Sequence, residues 1–185
     1  GMNINYDSPP TIVIHARPIK PISNKTYKTG IAVSLFNNSA SRITGISNQI
    51  KSCNYLSHII LRERALKEGS FEGVMLDHKN NITEGTSSNI FIIKNNILKT
   101  PGVNEFVLSG VTRQAILDIA KAQKVSFKEM TLSANDIYEA DEVFISSTGI
   151  EILPVCTVNQ RHIGNGKPGP ITKYLHKVFL KNFEE

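Results

Sequence analysis

Cysteine is scarce: Cys53 and Cys156 are the only two in 185 residues, far apart and outside any CxxC or Cys/His metal spacing. That excludes a disulfide scaffold and a cysteine-based metal centre, so no metal is expected and both thiols are expected to be free and buried. No stretch approaches the ~18 consecutive apolar residues of a spanning helix, and the first residues lack the charged-then-apolar layout of a secretory signal. The expectation is a cytoplasmic protein with no membrane contact. Acidic residues are outnumbered, 16 against 21 Lys and Arg, for a formal charge of +5. The basic residues are nevertheless scattered and not interleaved with aromatics, so no nucleic-acid partner is expected. The milder use of such a charge is attraction of anionic cofactors and substrates. Internal repeats and low-complexity tracts are also lacking.

What is present describes one folded domain. Hydrophobic residues make up 40% and charged residues 20%, which is ordinary for a globular chain of this length. Gly1 ahead of Met2 reads as a tag remnant, and residues 1–10, ending in Ser8-Pro9-Pro10, read as an arm. The β-branched run Thr11–Ala16, stopped by Arg17-Pro18, predicts a strand, and Gly30–Phe36 predicts a second. From Ser52 to Lys67 the residues Leu56, Ile59, Ile60, Ala65 and Leu66 recur near helical spacing, with Gly69 as the stop. Gly73–Asp77 and Asn89–Ile93 read as strands, the latter with too little alternation for a half-exposed surface. Asn95-Asn96 fits a tight turn into Ile97–Lys99. Val111–Lys124 predicts a helix with Ile116, Ile119, Ala120 and Gln123 on one face. Glu142–Ser147 predicts a strand, and Val155–Ile163 a short one. Ile171, Tyr174, Leu175, Val178 and Phe179 trace a C-terminal amphipathic helix after Pro168-Gly169-Pro170. Many short strands with three helices indicate an α+β domain.

Three clusters draw attention for chemistry. Thr83-Glu84-Gly85-Thr86-Ser87-Ser88-Asn89 sets one carboxylate in a run of small hydroxyl and amide residues. Such residues let a flat ligand approach closely and offer oriented donors, although locally they also describe a polar turn. Ser109-Gly110-Val111-Thr112-Arg113 opens a helix, where unpaired N–H groups and the dipole favour an anion; an ordinary cap is the plainer account. Ser146-Ser147-Thr148-Gly149 follows a strand and repeats the theme of hydroxyls ending in glycine. Together the clusters suggest a shared phosphate site.

The ordered set Lys51-Ser52-x-Asn54-Tyr55-Leu56, Thr83 to Phe91, Thr100-Pro101, Leu108-x-Gly110-Val111-Thr112-Arg113, Ala140 to Phe144, Pro154-Val155 and Gly164-x-Gly166-x-Pro168-Gly169-x-x-Thr172 resembles the class IV (fold-type IV) aminotransferases. That family includes branched-chain and D-amino acid aminotransferases and, more loosely, aminodeoxychorismate lyase. The resemblance runs from Thr11 to Phe183. It implies the large domain of the D-amino acid aminotransferase-like fold, a mixed-strand pseudo-barrel with flanking helices, over residues 11–185. It implies pyridoxal 5'-phosphate as cofactor, an amino acid and a 2-oxo acid as substrates, and a homodimer.

By the same resemblance Lys51 bonds covalently to the cofactor and shuttles a proton, and Glu84 holds the pyridine nitrogen. Val111 and Thr112 meet the phosphate at a helix start, Thr148 adds a hydroxyl, and Ser88 lines the ring. Members of the family carry a smaller front domain of roughly one hundred residues, on the scale of a small domain, which supplies a phosphate-binding arginine and much of the substrate pocket. Here only Met2–Pro10 precede the first expected strand. The expectations are therefore transamination, with a lyase of the same family or a shortened non-catalytic paralogue as the alternatives.

Overall fold

A computed structural model describes Pro9 and residues 11–37, 51, 53–104 and 106–183. The arm expected over residues 1–10 thus lies, Pro9 apart, outside the described residues. The chain runs α1 (Asn24–Thr29), β1 (Ile31–Asn37), α2 (Leu56–Lys67), β2 (Glu72–Leu76), β3 (Asn81–Gly85), β4 (Asn89–Lys94) and β5 (Ile97–Pro101). It continues through α3 (Val111–Ala122), β6 (Phe127–Met130), β7 (Leu132–Ser133), α4 (Ala134–Tyr138), β8 (Glu142–Ser147), β9 (Glu151–Val158), β10 (Arg161–His162) and α5 (Pro170–Phe183). No helix among the described residues is long and apolar enough to cross a membrane.

The strands form one mixed sheet in the order β6-β5-β4-β8-β9-β1-β2-β3-β7, with β10 beside β9. β1 is parallel to both β2 and β9, as a crossover through α2 requires for the first pair. Antiparallel ladders join β4 to β8 and β8 to β9. β3 comes back against β4 and β5, so six strands curl around an apolar interior. Val33, Val74, Ile82, Ile90, Ile92, Val143, Ile145, Leu153 and Val155 fill it.

The alternate side chains of the same strands face outward into a second core. Phe91, Ile93 and Phe144 meet Ile116, Leu117 and Ala120 of α3 and Leu175 and Phe179 of α5. This explains the unbroken apolar run at Asn89–Ile93: β4 is covered on both faces, so alternation in space is apolar against apolar. The Phe91 and Phe144 rings stack with centroids 4.7 Å apart. The turn between β4 and β5 places Asn95 and Asn96 at φ 52° and 61°, a conformation that asparagine tolerates and that suits a two-residue hairpin. The start of α5 is capped from β8, where Glu142 accepts from the Ile171 and Thr172 N–H groups at 3.0 and 2.8 Å.

Several expectations are corrected. Thr11–Ala16 is not a strand: it runs exposed and unpaired, because β-branched composition without a ladder partner does not make one. The helix expected from Leu56, Ile59, Ile60, Ala65 and Leu66 does form as α2, with Ala65 buried and the other four exposed. Gln123 caps the end of α3 and is exposed, off the buried face. Cys156 is buried but Cys53 is exposed. The short strand expected in Val155–Ile163 is part of the eight-residue β9 followed by β10.

Candidate active site

Thr83, Glu84 and Gly85 are not a loop but the end of β3, and the hydroxyl run Thr86–Ser88 turns the chain into β4. Glu84 is only 8% exposed. Its Oε2 accepts from the Leu108 N–H at 2.9 Å. This one hydrogen bond among the described residues does not offset the loss of water, and burial pushes the carboxyl up to about 7.

The same segment that binds Glu84 leads into α3. Asn89 Nδ2 donates to the Leu108 carbonyl at 3.0 Å, and a Cβ on Gly110 would overlap Asn89 Oδ1. Gly110 is therefore required for the close approach of the 108–110 segment to β4. It is also the N-cap of α3, and among the described residues no side chain caps the first turn. The N–H groups of Val111 and Thr112 are left with the positive end of a 12-residue helix dipole behind them. The Val111 side chain is 85% exposed and Thr112 is buried. Arg113 fixes this turn from inside, donating to the Pro101 carbonyl at 2.9 Å and pairing with Glu129 at 2.5 Å.

The third cluster arrives through the sheet. Asn89 on β4 stands opposite Ser146 on β8, which brings the Ser146–Gly149 segment to the edge where Asn89 holds the α3 start. Thr148 is exposed there, in the turn after β8. Ser146 Oγ is buried with no hydrogen-bond partner among the described residues.

The expected residues thus divide. Glu84, Val111 and Thr112 are joined directly by the Leu108–Gly110 segment, and Thr148 reaches the same end of the sheet through the β4–β8 ladder. Lys51 is exposed just ahead of Tyr55, the N-cap of α2. Ser88 is buried, and its hydroxyl points at Glu72, 3.5 Å away. Glu72 was not anticipated. It is fully buried at the start of β2, and the only sequence signal was a lone acid opening the apolar run Gly73–Leu76. Among the described residues no three His, Cys, Asp or Glu side chains gather as a metal site requires.

Comparison with known proteins places the chain in a family. Residues 2–158 match the family described as amino-transferase class IV. A provisionally named branched-chain-amino-acid aminotransferase of Methanocaldococcus jannaschii is 37% identical over 179 residues, covering 97% of this chain and 61% of its own. A D-alanine aminotransferase of Listeria monocytogenes is 40% identical over 132 residues, 71% of this chain and 45% of its own. The branched-chain amino acid aminotransferase structure from Escherichia coli superimposes with a TM-score of 0.76 at 35% identity, over 84% of this chain and 53% of the other. A second branched-chain amino acid aminotransferase structure, solved in complex with N-(5'-phosphopyridoxyl)-L-glutamate, gives a TM-score of 0.77 at 25% identity, over 84% of this chain and 52% of the other. The chain belongs to the class IV aminotransferases. It spans between about half and three fifths of the length of these relatives.

Proposed function

We propose that this chain is the large, cofactor-binding domain of a pyridoxal-phosphate-dependent aminotransferase, moving an amino group between an amino acid and a 2-oxo acid. The observation that carries the reading is the pairing of opposite electrostatic needs on one short segment. Glu84 is a buried carboxylate short of a cation, and three residues beyond the Leu108 N–H it accepts from, the start of α3, uncapped among the described residues, is short of an anion. A ring with a protonated nitrogen at one end and a phosphate at the other satisfies both. The residues present therefore fit the cofactor. When bound, it supplies a carbonyl carbon for amine exchange and a ring that draws electron density from the substrate α-carbon.

The chain's own groups divide the work. The Val111 and Thr112 N–H groups and the Thr112 and Thr148 hydroxyls hold the phosphate. Glu84 accepts a charge-assisted hydrogen bond from the ring nitrogen and keeps that nitrogen protonated. Ser88 lines the ring face. Lys51 Nζ would hold the cofactor covalently and, when free of it, would be the base that takes and returns the substrate α-proton. Transamination is preferred to elimination because the relatives named above are aminotransferases.

Two copies are proposed to assemble as a homodimer, in keeping with the uncovered apolar residues Leu56, Ile59, Ile60 and Leu66 along α2. The test is borohydride trapping of pyridoxal phosphate on the purified chain, read by peptide mass spectrometry, with alanine–2-oxo acid exchange assayed alongside. Label on Lys51, absent in Lys51→Ala, is expected. Label on another lysine, or none under cofactor excess, would remove the reading.

A further inference from the structure

Thr86, Ser87 and Ser88 are the hydroxyls a sequence reader assigns to a ligand, yet their protons go elsewhere. Thr86 Oγ1 donates to Glu72 Oε1 and Ser87 Oγ donates to Glu72 Oε2 at 2.9 Å, with Ser88 Oγ at 3.5 Å from the same oxygen. The Gly73 N–H adds a contact at 3.0 Å. The charge is met by Arg62 of α2, whose Nη1 lies 2.7 Å from Oε2. Arg62 also lies over the Phe71 ring at 5.0 Å. One buried carboxylate thus joins the helix that follows Lys51 to the hydroxyl turn that follows Glu84. A hydroxyl has one proton to give, so the proton each of these donates to Glu72 is not available to a ligand, and the oxygens can serve it only as acceptors.

We propose that Glu72, clamped by Arg62, is a positioning residue that sets α2 and the Thr86–Ser88 turn in register, and so aligns Lys51 with the Glu84 side of the site. This rests on the cofactor reading above. Losing the clamp frees the hydroxyls to rotate and α2 to shift, without removing any group that touches the cofactor at its nitrogen or phosphate.

The test compares E72Q, R62M, R62K and T86V with E142Q, which disrupts a buried carboxylate of similar hydrogen bonding at the distant α5 cap. Stability, pyridoxal phosphate affinity and the pH midpoint of the visible band of the Lys51-bound cofactor are measured for each. E72Q and R62M are expected to weaken cofactor binding by about tenfold, the equivalent of one lost charged hydrogen bond, and to move the band midpoint. R62K, which keeps a cation facing Glu72, should restore both, and E142Q should lose stability alone. If E72Q does not fold, R62M and T86V decide.

Parallel stability losses in E72Q and E142Q, with affinity and band unchanged, would overturn the proposal. Should the wild-type chain take up no cofactor, the functional reading fails and amide exchange of the free chain becomes the deciding measurement. E72Q must then speed exchange at 86–89 and in the first turns of α2 while leaving 171–175 protected, and uniform exchange would overturn the clamp.

Discussion

The sharpest consequence of the Glu84 environment is a pH dependence of folding that one substitution should abolish. In the unfolded chain Glu84 titrates at its ordinary 4.5, and in the fold burial lifts it to about 7. The folded state therefore holds a proton that the unfolded state has lost between those values, and stability falls as pH rises through that window. The stability is fully present below 4.5 and is lost as pH passes about 7. A rise of that size corresponds to about 3 kcal/mol, a large part of the 5–15 kcal/mol that holds a typical domain together. Glu84→Gln removes the titration, keeps an acceptor for the Leu108 N–H, and is expected to be more stable than wild type at pH 8 and about equal at pH 4.5. Urea unfolding of both proteins, without cofactor, from pH 4.5 to 8.5 measures the difference at each pH. A wild-type-minus-mutant difference that stays flat across the series would refute the claim that this carboxylate is desolvated and under-paired. With pyridoxal phosphate bound, a cation beside Glu84 should reduce the slope in wild type, while the Gln variant loses amino transfer.

Other expectations concern the surroundings of the same site. Gly110→Ala places a methyl against Asn89 Oδ1 and should cost about 1–3 kcal/mol, with weaker binding of the phosphate end, read by denaturation and by cofactor titration. Thr148→Ala and Thr112→Val should each raise the pyridoxal phosphate concentration for half-saturation by about tenfold, as one charge-assisted hydrogen bond is lost, and unchanged titrations would move the phosphate elsewhere. Phe144→Ala empties a fully buried, stacked position and should cost about 3–5 kcal/mol in urea unfolding. Ultracentrifugation is expected to show a dimer that Leu56→Glu with Ile60→Glu converts to monomer, and a wild-type monomer at high concentration would refute the assembly.

Legibility in the sequence followed how local each cause was. β4, β8, α3 and α5 were readable because covered faces write long apolar patterns, and the Asn95-Asn96 turn because its backbone conformation selects few residues. β3 was hidden: its strand state comes from ladders to β2 and β7, not from Thr83-Glu84-Gly85, whose small polar residues look like a loop. Thr11–Ala16 failed in the opposite sense, with strand composition and no partner. The apolar spacing of α2 was real, but its face points outward, and periodicity does not say what will cover it. Arg62 could not be assigned from sequence because its partner, Glu72, is ten residues away across a helix end.

Glu72 and Glu84 show how one residue type is given two roles by its donors. Both are buried beside the same turn. Glu72 has a guanidinium, a backbone N–H and hydroxyls on its two oxygens, so a ligand arriving there would have to displace bonds already made. Among the described residues Glu84 has the Leu108 N–H alone, and burial holds its pKa above the ordinary carboxylate range. A buried carboxylate with too few donors is costly to a fold, and in the function proposed above a protonated ring nitrogen supplies what this one lacks. The surplus of donors on Glu72 and the shortage on Glu84 are two parts of one arrangement. The first keeps the turn fixed, so that the second is offered to the ligand at a fixed place.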